Sequence, residues 1–264
     1  MLAPGIEEAA VKQFTAGDGV EIAYDEWGEA SAEPPVVLHH GFAANAHLNW
    51  VGPGIVTALV EAGRHVVALD ARGHGRSGKP HDPARYGEQA MARDLRMLVD
   101  ITGAAQVDLV GYSMGAIVSL LAAVDEPRLR RLVVGGVGAG VVELGGLDTR
   151  ALPNDALAAA LEADDPATTT DPTGLAFRQF ADAIGADRLA LAAQARAVHA
   201  SPIALDRITV PVLVMAGDAD PLADRAEVLA DAIPDARLVR LTGDHLGALG
   251  DSRFIPTLVD FLAG

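Results

Sequence analysis

The residues of this chain best suited to chemistry form a short pattern around one serine, Gly111-Tyr-Ser-Met-Gly115. An apolar run of β character precedes Ser113 and an Ala/Leu/Val-rich helical run follows it, so the serine lies where a strand turns sharply into a helix. Glycines on both sides bring no Cβ into that turn, which lets Ser113 be strained and exposed. The backbone N–H of Met114 then lies at a helix N-terminus, where an unpaired donor can stabilise an oxyanion. The pattern predicts a serine nucleophile.

Two further groups complete this chemistry, and both follow predicted strands. Gly217-Asp-Ala-Asp220 comes after the strand pattern at 210–216, and His245 comes after the strand pattern at 236–241. A serine hydroxyl is a poor nucleophile unless an imidazole takes its proton, and that imidazole needs a carboxylate to fix its tautomer. The order serine, aspartate, histidine therefore predicts a catalytic triad.

Strand and helix patterns alternate on both sides of this site. After a hairpin pattern at 11–27, buried-strand patterns and helix patterns succeed one another, which predicts a mainly parallel sheet with helices on both faces. The carboxyl ends of parallel strands share one edge of the sheet. His40-Gly41-Phe42 follows the strand pattern at 36–39, so the N–H of Phe42 is a candidate second oxyanion donor. Helix patterns are predicted at 50–62, 87–101, 222–232 and 252–263.

The alternation stops between about residues 138 and 206. Three helical patterns, at 154–163, 174–184 and 187–199, follow one another there without a strand pattern. We interpret residues 138–206 as an inserted helical cap and residues 1–137 and 207–264 as the core domain. Tyr112, Phe177 and Phe180 are candidate substrate contacts, although the two phenylalanines are more typical of the cap's own core.

Composition limits the classes of partner and site. Twenty lysines and arginines stand against 36 acidic residues, a formal charge of −16, which argues against nucleic acid or an anionic membrane. A small neutral or cationic substrate fits this charge better. The absence of cysteine excludes disulfides and thiolate metal sites, and the histidines show no H-E-x-x-H or comparable spacing. We expect neither a metal nor a cofactor.

The first residues of the chain and the length of its apolar runs indicate a cellular location. Met1-Leu-Ala-Pro-Gly-Ile-Glu-Glu lacks the basic and apolar regions of an export signal, and no apolar run reaches about 18 residues. These features favour a cytoplasmic protein that does not enter a membrane. We expect a monomer or a homodimer.

With these motifs the chain resembles the α/β-hydrolase family over essentially its whole length. The resemblance implies the fold of that family, with Ser113 as nucleophile, His245 as base and the amides of Phe42 and Met114 as the oxyanion hole. It also implies Asp220 as the acid. The matching segments are His40-Gly41-Phe42, Asp70-Ala-Arg-Gly-His-Gly-Arg-Ser77, Gly111-Tyr-Ser-Met-Gly115, Gly217-Asp-Ala-Asp220 and Gly243-Asp-His245.

The choice among three aspartates follows from the same resemblance. The family's acid usually stands three residues after a glycine, here Gly217, which favours Asp220 over Asp218. Asp244, beside His245, is a less favoured rival. The loop at 70–77 is too irregular for a dinucleotide fingerprint, so we interpret it as a structural turn.

The resemblance also narrows the reaction. Haloalkane dehalogenases and epoxide hydrolases of this family carry aspartate at the position of Ser113, which makes those reactions unfavoured here. Transfer of an acyl group to water remains, as in a carboxylesterase, lactonase or thioesterase. A carbon–carbon bond hydrolase, a cofactor-free perhydrolase and a non-catalytic small-molecule receptor are the alternatives. Turnover of an activated ester would separate an enzyme from a receptor.

Overall fold

The computed structural model describes residues 11–264, so the prediction about an export signal in the first eight residues lies outside the described part. Eight strands form one sheet in the order β1-β2-β4-β3-β5-β6-β7-β8. The strands are β1 (Lys12–Thr15), β2 (Glu21–Trp27), β3 (Val36–His39), β4 (Val66–Leu69), β5 (Val107–Tyr112), β6 (Leu129–Gly135), β7 (Val212–Gly217) and β8 (Ala236–Leu241).

The first two strands differ from the rest in direction. β1 and β2 form the expected hairpin, and β2 runs antiparallel to β4, whereas all other neighbouring pairs are parallel. β3, β4, β5 and β7 are buried along their whole length, which explains why their sequences are continuous apolar runs instead of alternating ones. The carboxyl ends of β3, β5 and β7 consequently lie at one edge of the sheet.

Helices cover both faces of the sheet. One apolar core lies under α2, α3, α4 and α8, and a second lies under α1 and α9. Burial on both faces is the arrangement that a mainly parallel sheet requires. The helices are α1 (Ile55–Glu61), α2 (Glu88–Thr102), α3 (Met114–Ala123), α4 (Ala139–Leu144), α5 (Asn154–Glu162), α6 (Pro172–Ala183), α7 (Arg188–Arg196), α8 (Ala226–Asp231) and α9 (Phe254–Ala263).

The segment between β6 and β7 builds an apolar cluster of its own. α5, α6 and α7 pack together through buried leucines and alanines, among them Leu157, Leu161 and Leu191. Ala43 and Leu222, from loops that follow β3 and β7, belong to the same cluster. These three helices therefore lie over the edge of the sheet where the predicted site residues are found.

Two helical predictions differ from the structure, and one helix was not predicted. The pattern at 50–62 forms a π-helical turn (His47–Val51) and then α1, because Gly52-Pro53-Gly54 interrupts it and Gly54 adopts a φ of 85°. The pattern at 222–232 forms a short 3₁₀ turn and then α8, separated by Arg225 in the left-handed region. α4 was not predicted, because a helix of six residues between glycines is too short to show a helical apolar pattern.

None of the helices within residues 11–264 combines the length and the apolar character needed to cross a membrane.

Candidate active site

Ser113 lies at a strained turn between β5 and α3. Its φ of 56° and ψ of −121° place a non-glycine residue in the left-handed half of conformational space. The flanking glycines are required by contact: a Cβ at Gly111 would lie 2.2 Å from the carbonyl oxygen of Gly115. A Cβ at Gly115 would lie 2.1 Å from the carbonyl oxygen of His39, on β3. The two glycines therefore allow α3 to begin directly against the neighbouring strand.

Three side chains from separate loops meet in one line of hydrogen bonds. Nε2 of His245 lies 2.9 Å from Oγ of Ser113, and Nδ1 of His245 lies 2.8 Å from Oδ2 of Asp220. The second carboxylate oxygen of Asp220 accepts the backbone N–H of Leu222 at 2.9 Å. Because an ionised carboxylate can only accept, Nδ1 carries the proton and Nε2 is the acceptor that faces the serine hydroxyl.

The two rival aspartates have other partners. Oδ1 of Asp218 accepts the N–H of Gly243 at 2.9 Å, and Oδ1 of Asp244 accepts the N–H of Gly247 at 2.8 Å. Both bonds organise the loop that carries His245. Of the three aspartates, the structure brings Asp220 to the imidazole.

Tyr112, expected as a substrate contact, supports His245 directly. Its hydroxyl donates to the backbone carbonyl of His245 at 2.6 Å, and the two rings lie 5.4 Å apart. Burial raises the pKa of Tyr112, so the hydroxyl keeps its proton and remains a donor. Gly136 lies beside both rings, since a Cβ there would lie 2.9 Å from Cε1 of His245 and 2.9 Å from Cζ of Tyr112. His245 is therefore bonded through its backbone to Tyr112 and packed closely against the backbone of Gly136.

The loop after β3 brings a second backbone amide to the serine. A Cβ at Gly41 would lie 3.2 Å from Cβ of Ser113, which puts the start of this loop against Ser113. Oδ1 of Asn49 accepts the N–H of Gly41 at 2.9 Å. The N–H groups of Phe42 and Met114 have no hydrogen-bond acceptor within residues 11–264, so both remain available to an oxyanion.

A buried histidine anchors the same loop. Nδ1 of His40 donates to the carbonyl of Gly41 at 2.7 Å, and its Nε2 accepts the N–H of Ala71 at 2.9 Å. Burial lowers the pKa of His40 to about 4, so the ring is neutral and can make both bonds. The loop at 70–77 takes part through Asp70, whose carboxylate accepts the N–H of Ala46 at 2.9 Å. That loop is the structural turn expected from the sequence.

Ser113 and His245 open into a cavity of about 510 Å³ between the sheet edge and the helices α5, α6 and α7. Its wall is mostly apolar, and Tyr112, Phe177 and Phe180, the three predicted substrate contacts, all line it. Phe177 also packs edge-on against Phe42, with ring centroids 5.8 Å apart. A larger cavity of about 810 Å³ lies on the other side of the loop after β3, but no triad residue lines it.

Five polar residues of the cavity wall, Thr173 among them, were not predicted from the sequence. Glu88 begins α2, where an acidic residue is ordinary for a first helical turn, and Asn49 directly precedes the helix predicted at 50–62. Gln194 and Asn154 lie within a segment whose packing the sequence does not give. No motif marks any of them, and only the fold places them beside Ser113.

Within the described residues, no cluster of three or more histidine, aspartate or glutamate side chains has an arrangement able to hold a metal ion. The expectation that the protein works without metal or cofactor stays a prediction.

Known proteins match part of the chain in sequence. A sequence model of the family described as alpha/beta hydrolase fold matches residues 34–137. The chain is 36% identical over 110 residues to epoxide hydrolase A of Mycobacterium tuberculosis, a match that covers 42% of this chain and 33% of that protein. It is 39% identical over 112 residues to putative carbamate hydrolase RutD of Variovorax paradoxus, covering 42% and 40%. These matches span less than half the length of either relative.

Solved structures match the whole chain. A hydrolase from Pseudomonas aeruginosa has a TM-score of 0.79 at 27% identity, and the match covers 98% of this chain and all of that one. An enol-lactonase from Burkholderia xenovorans has a TM-score of 0.72 at 26% identity, covering 96% and 100%. The sheet order, the serine elbow and these matches agree that the chain has the α/β-hydrolase fold, and residues 34–137 match the sequence model of that family. The predicted family and fold class are confirmed.

Proposed function

We propose that this protein is a serine hydrolase that cleaves a carboxylic ester or a related acyl bond, with Ser113 as nucleophile, His245 as base and Asp220 as acid. The observation that carries the proposal is the unbroken line of hydrogen bonds from Oγ of Ser113 through the imidazole to Asp220, at 2.9 and 2.8 Å, beside an apolar cavity. A small neutral acyl substrate fits that wall.

The first half of the reaction forms an acyl-enzyme. Oγ of Ser113 attacks the carbonyl carbon while Nε2 of His245 takes the hydroxyl proton, and the carbonyl π electrons move to the oxygen. The N–H groups of Phe42 and Met114 donate to that oxyanion, and Asp220 stabilises the imidazolium. When the intermediate collapses, the bond to the leaving oxygen breaks, and the imidazolium gives that oxygen its proton. The alcohol leaves and the acyl group stays on Ser113.

The second half repeats these steps with water. Nε2 of His245 takes a proton from a water molecule as its oxygen attacks the acyl carbon. The oxyanion forms again between the same two amides. Its collapse breaks the bond to Oγ, which recovers a proton from the imidazolium, and the acid leaves. Each proton is returned, so the protein ends unchanged.

Residues 138–206 act in this proposal as a lid over the cavity. The support is that α5, α6 and α7 enclose the cavity opposite Ser113, and that Phe177 and Phe180 line it from α6. A lid of this kind would exclude water from the acyl-enzyme and select the acyl group. The larger part of the chain, 1–137 with 207–264, would then be the catalytic core.

The named neighbours support an acyl substrate. Besides the enol-lactonase, an esterase from Exiguobacterium antarcticum is 25% identical with a TM-score of 0.76, covering 96% of this chain and 99% of that one. The epoxide hydrolase and carbamate hydrolase among the relatives indicate how widely this family varies its reaction. The serine at position 113, together with its histidine, favours acyl transfer for this chain.

Covalent labelling tests the proposal without knowledge of the substrate. A small phosphonofluoridate should form one adduct on Ser113, because the reaction needs only an activated serine and two oxyanion donors. Intact mass spectrometry with peptide mapping reports the site. Ser113→Ala should abolish the labelling and His245→Ala should greatly slow it, while the other five serines stay unmodified. A folded protein that several such reagents leave unlabelled would contradict the proposal and favour a receptor.

A further inference from the structure

The cavity beside Ser113 contains a carboxyl group that the proposed reaction does not use. Glu88 lines this cavity from the start of α2 and is 2% exposed. Its Oε2 accepts the backbone N–H of His199 at 2.6 Å, and its Oε1 accepts from Nε2 of Gln194 at 3.3 Å. No lysine, arginine or histidine nitrogen within residues 11–264 lies within 4.0 Å of this carboxylate.

Such a group is costly unless something compensates it. A buried carboxylate without a cation loses its hydration, and here burial raises the pKa of Glu88 to about 7. Two neutral N–H donors leave part of its acceptor capacity unused, since a carboxylate offers about four acceptor positions. An apolar side chain at the start of α2 would avoid this cost. The position of Glu88 on the cavity wall indicates that a ligand supplies the hydrogen-bond donor that the protein does not.

A second acceptor lies in the wall of the same cavity. Oδ1 of Asn154, at the start of α5, is buried and has no hydrogen-bond partner in the described residues. Around Ser113 the wall offers donors, which suit a carbonyl oxygen. At Glu88 and Asn154 it offers acceptors, and acceptors in a largely apolar wall require a donor from the ligand.

We infer that Glu88 and Asn154 bind a hydrogen-bond donor of the substrate, a hydroxyl or ammonium group carried at a distance from the bond that Ser113 attacks. This inference rests on the proposed ester hydrolysis and adds a substrate class to it: esters whose chain ends in a polar donor. Glu88 is thus a specificity-determining residue and takes no part in the chemical steps.

The hydrogen bond to His199 also gives Glu88 a structural task, because it ties α2 to the segment that follows α7. Glu88→Gln separates the two tasks. An amide oxygen at position 88 still accepts the N–H of His199, so the tie is kept, but the negative charge is lost. A purely structural role would leave substrate preference unchanged in this variant.

The experiment compares p-nitrophenyl esters of straight-chain acids that end in methyl, hydroxyl or ammonium, over a series of chain lengths. At a chain length that reaches Glu88, the wild-type kcat/KM for the hydroxyl or ammonium ester should exceed that of the matched methyl ester by about tenfold to hundredfold. Glu88→Gln should abolish a preference for ammonium and only reduce a preference for hydroxyl, which tells the two donors apart.

Glu126→Gln is the matched control, because Glu126 is also a buried glutamate, 7% exposed, but pairs with Arg128 away from this cavity. It should leave the preference unchanged. If Glu88→Gln does not fold, the wild-type ratios alone decide. A wild-type preference for methyl ends at every length, with those esters hydrolysed, overturns the inference and leaves the proposed function standing. Absence of turnover of every ester, with no labelling of Ser113, overturns both.

Discussion

At the scale of single residues, the bond between Asp220 and Nδ1 of His245 decides which imidazole nitrogen faces the serine. Asp220→Asn should lower kcat by on the order of 10⁴, because an amide can donate to Nδ1 and so favours the wrong tautomer. Steady-state kinetics on an activated ester measure this. Asp218→Asn and Asp244→Asn are matched controls on neighbouring loops and should cost far less. A larger loss in Asp244→Asn than in Asp220→Asn would mean that the acid is misassigned.

Tyr112 can act on the substrate or on His245, and the two roles give different kinetics. Tyr112→Phe keeps the ring that lines the cavity and removes the hydroxyl bond to the carbonyl of His245. If Tyr112 positions the imidazole, kcat should fall by roughly tenfold with KM nearly constant, because small displacements of a catalytic group slow the chemical step. A rise in KM with unchanged kcat would instead make the hydroxyl a substrate contact.

At the scale of elements, the junction of β5 and α3 depends on the absence of one side chain. Gly115→Ala would place a methyl group 2.1 Å from the carbonyl oxygen of His39, and neither backbone can move without separating β3 from the elbow. We expect a loss of on the order of 4 kcal/mol in the free energy of unfolding, or failure to fold. Chemical denaturation measures the change.

Gly17→Ala is the control for this element, since a Cβ at Gly17 meets nothing within 4 Å. Its effect should stay within about 0.5 kcal/mol. Equal stability losses in the two variants would contradict the close approach of α3 to β3. A folded Gly115→Ala protein with normal stability would contradict it as well.

Strands and helices with a strong apolar pattern could be predicted from the sequence. Elements that form because of contacts with distant parts of the chain could not. The buried runs of β3, β4, β5 and β7 and the turn around Ser113 have local signals, so their order already implied a parallel sheet. α4 has six residues between glycines and owes its helix to contacts with α8 and the loop after β7. The helix predicted at 50–62 divides because Gly54 takes a positive φ, which no apolar pattern reveals.

At the scale of the whole molecule, the same distinction applies to the site. The triad residues each follow a predicted strand, so topology alone brings Ser113, Asp220 and His245 to one edge. Glu88, the first residue of α2, accepts a hydrogen bond from His199 in the segment after α7. The two residues lie 111 positions apart in the sequence. A residue whose surroundings come from such a distant part of the chain has no local signal. The position of Glu88 on the cavity wall therefore required the fold, whereas the meeting of Ser113, Asp220 and His245 did not.

Buried ionisable groups also make the stability of the whole molecule depend on pH. Burial lowers the pKa of His39 and His40 to about 4 and that of His74 to about 3, from an ordinary value of 6.5. The unfolded chain thus binds more protons, and the contribution of these histidines is complete above pH 6.5 and lost as the pH falls toward 4. Glu88 acts in the opposite sense. Its pKa rises from 4.5 to about 7. Its burial therefore leaves the free energy of unfolding unchanged below pH 4.5 and lowers it by the full amount above pH 7.

Between pH 4.5 and 6.5 the three histidines outweigh the one glutamate, so unfolding takes up about two protons. The free energy of unfolding should therefore rise with pH by roughly 2 to 3 kcal/mol per pH unit in this window. Glu88→Gln removes the opposing group and should steepen the rise by about 1.4 kcal/mol per pH unit. Its stability relative to wild type should improve by on the order of 3 kcal/mol from pH 4.5 to pH 7.

Denaturant titrations at a series of pH values, with the m-value held as a check on two-state unfolding, measure both slopes. Glu126→Gln is again the control: Arg128 holds the pKa of Glu126 below its ordinary value despite its burial, so this variant should lose stability relative to wild type above pH 4.5. The difference in stability between Glu126→Gln and wild type should thus stay constant from pH 4.5 to pH 7, whereas that of Glu88→Gln should improve over the same window. If the difference in free energy of unfolding between Glu88→Gln and wild type stays constant across the window, the cavity does not contain an uncompensated carboxyl. If the wild-type free energy of unfolding does not change with pH, the buried histidines, including His40 in the loop of Phe42, are not held neutral.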